Sequence, residues 1–158
     1  DEPYLTIENM KAMVRDIKKR NPNLGLMVVD YLQIVPPAEG KKFRTREEEV
    51  SGIASDLKKL AKKFEIPVIA LSQINEEYQK RTTNKPKLSD LRESRAIGHH
   101  SDIVAFIHRE SYLNSMTSNP EKAEFIIEKF RGGALGTILM RYEQPITNFS
   151  DWHQHIKF

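Results

Sequence analysis

The chain has no cysteine. That excludes a disulfide framework and a cysteine-ligated zinc site, and it suits a reducing, cytoplasmic compartment. No apolar run approaches the roughly 18 residues needed to span a membrane, so no membrane partner is expected. The opening Asp1-Glu2-Pro3 has neither the basic start nor the apolar stretch of a signal peptide. Repeats and low-complexity segments are absent. So is a large excess of one charge: 25 Lys and Arg face 22 Asp and Glu, a net of +3. An excess that small does not establish nucleic-acid binding, so the placement of the cations has to carry that case. None of the seven glycines stands in a G-x-x-x-x-G-K-[ST] phosphate loop.

What remains is 158 residues of patterned sequence, enough for one domain with a real core. Thr6 can cap a helix with Glu8 and Asn9 in its first turn, and Ile7, Met10, Met13 (or Val14) and Ile17 recur at helical spacing. Asn21-Pro22-Asn23 ends it. Residues 24–29 read as a buried strand ending at Asp30. Residues 36–46 form a polar loop with a basic cluster between Lys41 and Arg46. Thr45 caps the next helix with Glu48 as a capping-box partner, and Val50, Ile53, Ala54, Leu57, Leu60, Ala61 and Phe64 make its apolar stripe.

Residues 66–71 read as a second buried strand, ending at Ser72-Gln73; strand–helix–strand order implies a right-handed parallel crossover. A polar stretch over 75–87 and a short helical turn over 89–92 follow. Residues 103–107 read as a third buried parallel strand and 110–121 as a loop. Residues 123–129 and 137–142 read as an antiparallel hairpin closing the sheet, joined by a glycine-containing turn. The fold class is therefore α/β: a parallel sheet flanked by helices, with a C-terminal antiparallel hairpin. A parallel sheet of three strands has few neighbours to bury both faces, so more sheet is expected upstream.

In such folds ligands bind beyond the carboxyl ends of the strands. Two polar residues stand there on consecutive strands. Asp30 can hold Mg²⁺, or its waters, beside phosphate oxygens; its bland alternative is a turn residue after a strand. Gln73 can hydrogen-bond a terminal phosphate without adding negative charge; alone it is also an ordinary strand end. Lys129 and Arg131 flank Phe130, and on an extended chain they point the same way. Such a pair can stabilise charge on a transferred phosphoryl group, or be a solvated strand end. Residues 84–95 carry Lys85, Lys87, Arg92 and Arg95 on a flexible lead-in, able to track a phosphate backbone or to be a charged surface loop. The adjacent His99 and His100 diverge by about 100° on a helix and have no third ligand at useful spacing, so no metal site is expected there.

These segments together resemble the replicative DNA helicase family of the DnaB type, with its RecA-like motor. The blocks that carry the likeness are Met27-Val28-Val29-Asp30-Tyr31-Leu32-Gln33, Arg46-Glu47-Glu48-Glu49-Val50, Pro67-Val68-Ile69-Ala70-Leu71-Ser72-Gln73-Ile74-Asn75, Ser89-Asp90-Leu91-Arg92-Glu93-Ser94 and Glu128-Lys129-Phe130-Arg131-Gly132-Gly133. The resemblance implies that residues 1–158 are the C-terminal portion of a RecA-like helicase ATPase domain, without the phosphate-loop segment and the primase-binding domain. It implies ATP and Mg²⁺ as cofactors, with Asp30 as the acid supporting the metal. Gln73 becomes the glutamine linking nucleotide state to DNA-binding loops. Lys129 and Arg131 become the basic pair that reaches into a neighbouring subunit's site. Arg92, Glu93 and Arg95 become the loop gripping single-stranded DNA. The implied partners are identical subunits in a hexameric ring, primase and a helicase loader.

Two departures from the family pattern stand out. Arg95 replaces a glycine, and Ile97-Gly98-His99-His100-Ser101 replaces an acidic stretch, leaving Asp102. Bacterial and bacteriophage members both fit the likeness; the two departures suggest a divergent one and favour phage origin. Alone, the segment is expected to be inactive towards ATP. Two other readings compete: a RecA-like recombinase or other DNA-loading ATPase, and a non-catalytic DNA-binding or assembly module. Trp152 and the tail with His153 and His155 lie beyond the resemblance.

Overall fold

A computed structural model of the chain describes residues 5–38, 40–91 and 95–152, with the backbone alone for residues 95 and 96. The chain divides into two compact units. One comprises Asp1–Asn75 and Leu91–Ser101, the other Glu76–Asp90 and Asp102–Phe158.

The first unit opens with α1 (Ile7–Arg20), capped by Thr6, whose hydroxyl accepts from the Asn9 N–H at 3.3 Å. Ile7, Met10 and Val14 are buried, so position 14 rather than 13 completes the inner face. Strand β1 (Met27–Val29) lies parallel to β2 (Val68–Ala70), with Val29 opposite Ala70. Between them runs α2 (Arg46–Phe64), whose stripe Val50, Ile53, Ala54, Leu57 and Leu60 is buried as its spacing dictates, while Ala61 and Phe64, at its end, are only half-buried. Thr45 caps it, accepting from the Glu48 N–H at 3.1 Å. The Glu48 carboxylate reaches back one residue beyond the cap and accepts from the Arg44 N–H at 3.0 Å. A short α3 (Arg95–His100) completes the unit.

The two strands depart from expectation. Each has only three residues, and neither is buried on both sides. Val29 is inside, but Val28 is 56% and Ile69 49% exposed. Successive side chains on a strand point to opposite faces, and the face carrying Val28 and Ile69 is open.

The second unit is a four-stranded antiparallel sheet in the order β3 (Ile103–His108), β4 (Lys122–Phe130), β5 (Gly136–Glu143), β6 (Asn148–Asp151). This corrects two readings. Residues 103–107 are not a third parallel strand: β3 pairs antiparallel with β4, in a sheet separate from β1 and β2. Nor is β3 buried throughout, since Val104, Phe106 and His108 are inside while Ile103 and Ile107 are exposed. That alternation belongs to an antiparallel strand covered on one face. Its Ile-Val-Ala-Phe-Ile composition, apolar on both faces, hides it from the sequence. The β4–β5 hairpin forms as expected, and a Cβ on Gly133 in its turn would run into the Phe130 ring. Within residues 110–121, read as a loop, Glu110–Leu113 form a single helical turn, α4. Strand β6, unforeseen, is exposed along its length; Phe149 packs its ring 4.8 Å from that of Tyr142.

The polar stretch Glu76–Asp90 is organised on this sheet. It contains 3-10 turns at Glu76–Lys80 and Leu88–Asp90. Buried Asp90 closes the second turn, accepting from the Lys87 N–H at 2.7 Å and pairing with Arg81. Lys85 lies 2.5 Å from the Glu124 carboxylate on β4. Among the described residues no helix is long and apolar enough to cross a membrane.

Candidate functional site

The parallel register of β1 and β2 decides where their polar termini go. Val29 opposes Ala70, and the ladder continues as the Leu71 N–H donates to the Val29 carbonyl at 2.9 Å and the Leu32 N–H to the Leu71 carbonyl at 2.8 Å. Asp30 and Gln73 therefore leave the sheet at the same, carboxyl edge, and both are exposed.

Gln33 organises this edge, and sequence reasoning missed it. It is buried, at 9% exposure, on a 3-10 turn just after β1. Its side-chain amide oxygen accepts from the Gln73 N–H at 3.3 Å, and its NH₂ donates to the Ser72 hydroxyl at 3.0 Å. The Gln33 carbonyl in turn accepts from the Arg46 guanidinium, which also pairs with Glu49 at 2.6 Å. The only sequence signal was a polar residue inside the apolar run Leu32-Gln33-Ile34-Val35. One residue past Gln73, Ile74 forms an isolated antiparallel bridge with Leu91, the residue before Arg92. Arg92 and Glu93 themselves lie outside the described residues; Arg95 begins α3, with its side chain undescribed.

The basic loop is anchored rather than free. Lys41 pairs at 2.7 Å, and Lys59 at 2.9 Å, with Asp56, a carboxylate buried on the inner side of α2. Burial alone would raise the Asp56 pKa, but the two lysines outweigh it and hold the carboxyl below its usual range. The signal for it was an acid among the apolar positions of α2, with Lys59 three residues on.

In the second unit β4 ends at Phe130. Lys129 is half-buried in the strand; Arg131 lies in the turn beyond, so their shared direction does not follow from strand alternation as expected. Arg131 donates from its backbone N–H to the Asp102 carbonyl at 2.8 Å, and its guanidinium lies 3.3 Å from the Asp102 carboxylate. With side-chain exposures of 59% and 51%, that pair is solvated and weak. It leaves the guanidinium exposed.

Among the described residues no group of three His, Asp or Glu gathers to hold a metal by itself. A single exposed carboxylate at a sheet edge does fit Mg²⁺, which keeps most of its waters and takes one or two carboxylates plus phosphate oxygens.

The DnaB-like helicase C-terminal domain family matches residues 1–151. The chain belongs to that family. It is 38% identical over 149 residues to the replicative DNA helicase DnaB of Geobacillus stearothermophilus, covering 94% of this chain and 32% of that protein. The Mycobacterium leprae replicative helicase DnaB is 37% identical over 96% of this chain and 24% of its own length. The chain thus spans about a third or less of these relatives. Among solved structures, the ATPase domain of G40P matches with a TM-score of 0.90 and 32% identity, over 97% of this chain and 54% of that one. A DnaB-like replicative helicase described with its interactions with primase matches at 0.89 and 32%, over 97% and 37%. The fold is RecA-like. A RadB recombinase shares it at a TM-score of 0.56 and 21% identity, over 90% of this chain and 59% of that one, a likeness of fold alone.

Proposed function

We propose that this DnaB-like chain is the C-terminal portion of the motor of a replicative DNA helicase, which hydrolyses ATP at subunit interfaces and moves along single-stranded DNA. One observation carries the reading: Asp30 and Gln73 share the carboxyl edge of a parallel pair, and the residue after Gln73 is bridged to the residue before Arg92. A phosphate-sensing amide and a DNA-gripping loop are then two residues of backbone apart, joined through a β-bridge.

Each residue has a task in this reading. Asp30 holds the waters of Mg²⁺ at the sheet edge. Bound Mg²⁺ supplies the positive charge that neutralises phosphate oxygens as the terminal phosphoryl group leaves. Gln73 donates its amide to that phosphate; Gln33 ties its backbone to the turn after β1. Lys129 and Arg131 reach a neighbouring subunit's nucleotide, where such cations stabilise the developing charge. Arg92, Glu93 and Arg95 contact the DNA backbone, which positions the strand without reading its bases. The assembly is a ring of identical subunits, a hexamer, with primase and a loader as further partners in the cytoplasm.

The decisive measurement is strand separation on a forked DNA duplex by the full-length protein with ATP and Mg²⁺. Unwinding is expected, with Asp30→Asn abolishing it. ATP turnover on DNA with no strand separation would instead favour a DNA-loading ATPase of the same fold.

A further inference from the structure

Strand β4 carries two features of the proposed motor. Lys129 lies near its end with Arg131 just beyond, and its outer length holds the stem that leads into the candidate DNA-gripping loop. The two meet at Glu128. The β3–β4 register pairs Val104 with Lys129 and Ala105 with Ile127, so Glu128 has no opposite residue on β3. It is the extra residue of a β-bulge. Bulges bend and twist a strand locally and re-aim the residues that follow, here the basic pair.

The same residue holds the stem. Its carboxylate accepts from the Leu88 N–H at 3.3 Å in a half-buried setting. Leu88 opens the 3-10 turn Leu88–Asp90, which buried Asp90 closes on Lys87 and Arg81. A carboxylate accepting from a backbone amide is among the stronger classes of hydrogen bond. Four residues earlier on β4, Glu124 holds the stem through Lys85 at 2.5 Å. The stem is thus fastened to β4 at two points, and the one nearer the basic pair is the bulge itself.

We propose that Glu128 is a positioning residue that couples the Lys129–Arg131 pair to the single-strand-gripping loop. A shift of the bulge, when the cations engage a phosphate, carries Leu88 and the turn at Leu88–Asp90 with it. This is a second route into the loop, beside the bridge from Ile74 to Leu91, and it rests on the functional reading above. Residues 129 and 131 make the chemical contact; Glu128 acts only through them and through Leu88.

The test uses the full-length protein with Glu128→Ala and Glu128→Gln, the second keeping a carbonyl acceptor. Hydrogen exchange at the Leu88 amide should quicken by about tenfold or more in the alanine variant and stay within about threefold in the glutamine one. The ratio of ATP turnover with and without single-stranded DNA should fall by about fivefold or more with alanine and hold within about twofold with glutamine. A merely structural role predicts otherwise: both turnover numbers drop together, the ratio is unchanged and the melting temperature falls. That result, or unaltered exchange at Leu88, overturns the proposal. A ratio of one in the unsubstituted protein removes the functional reading and this inference together, and needs no variant to see.

Discussion

In the unit built on β1 and β2, strands of three residues carry the candidate nucleotide edge, and helix α2 supplies the buried mass. In the other unit, β4 runs nine residues, pairs on both sides, and carries the candidate basic pair at its end. The first is held by side chains stacked along one helix, the second by a ladder of backbone hydrogen bonds. The contrast shows how each places a polar group. The parallel pair delivers Asp30 and Gln73 to one edge by register alone, and a buried amide, Gln33, then ties down the backbone of Gln73. The antiparallel sheet aims Lys129 and Arg131 through a bulge and an exposed contact with Asp102.

The sharpest way to break this comparison is Arg131→Ala in the full-length protein. Turnover should fall by about 10³-fold or more, while nucleotide affinity holds within a few-fold; steady-state ATPase beside equilibrium nucleotide binding checks it. Normal turnover would strip the antiparallel unit of its assigned chemistry. Next is a paired test of where the parallel unit keeps its stability. Leu60→Ala, at a side chain with no exposure, should cost about 2–5 kcal/mol in denaturant unfolding. In the 158-residue chain, Val28→Ser on the open face should cost under about 0.5 kcal/mol. A cost for Val28→Ser that rises above about 1 kcal/mol in the full-length protein would mark that face as covered there.

The smallest effect is the pH dependence that His108 contributes in the antiparallel unit. His108 is buried on β3, and burial lowers its pKa; nearby Glu124 and Glu110 pull it up, Lys85 and Lys122 down, leaving it below the ordinary 6.5. The unfolded chain therefore takes up a proton that the folded one resists. Stability from this group is complete above pH 6.5 and is lost as pH falls through the lower folded value. Unfolding midpoints should drop as the pH is lowered below 6.5, and His108→Gln should flatten that slope. The Glu124 carboxyl, which burial pushes up but Lys85 and Lys122 together pull below its usual value, adds a second loss at lower pH.

Much of this was legible because the signals were local. Caps at Thr6 and Thr45 and the stripe along α2 are set by spacing within one element, and they fold as the spacing dictates. The placement of Asp30 and Gln73 at one sheet edge was legible for the same reason: each follows an apolar run. The misreadings came where the answer depends on a partner far away in sequence. Ile103 and Ile107 look like a buried parallel strand until β4 claims one edge of that segment. Strand β6 has a single large apolar residue, Phe149, and acquires its strand identity only by pairing with β5. Gln33, Asp56 and Glu128 read as unremarkable polar residues because their importance lies in acceptors and donors about 15 to 40 positions distant.

Gln33 also bears on how the candidate nucleotide edge can move. Its amide receives the Gln73 N–H, its NH₂ faces the Gln73 carbonyl at 3.5 Å, and the Ser72 hydroxyl donates to that same carbonyl at 3.3 Å. With its peptide groups engaged on both sides, the Gln73 backbone is braced, and under the proposed reading a phosphate drawn to its side chain pulls on Gln33, Ser72 and the Ile74–Leu91 bridge together. A glutamate at position 33 would slacken that brace, having no donor left for Ser72.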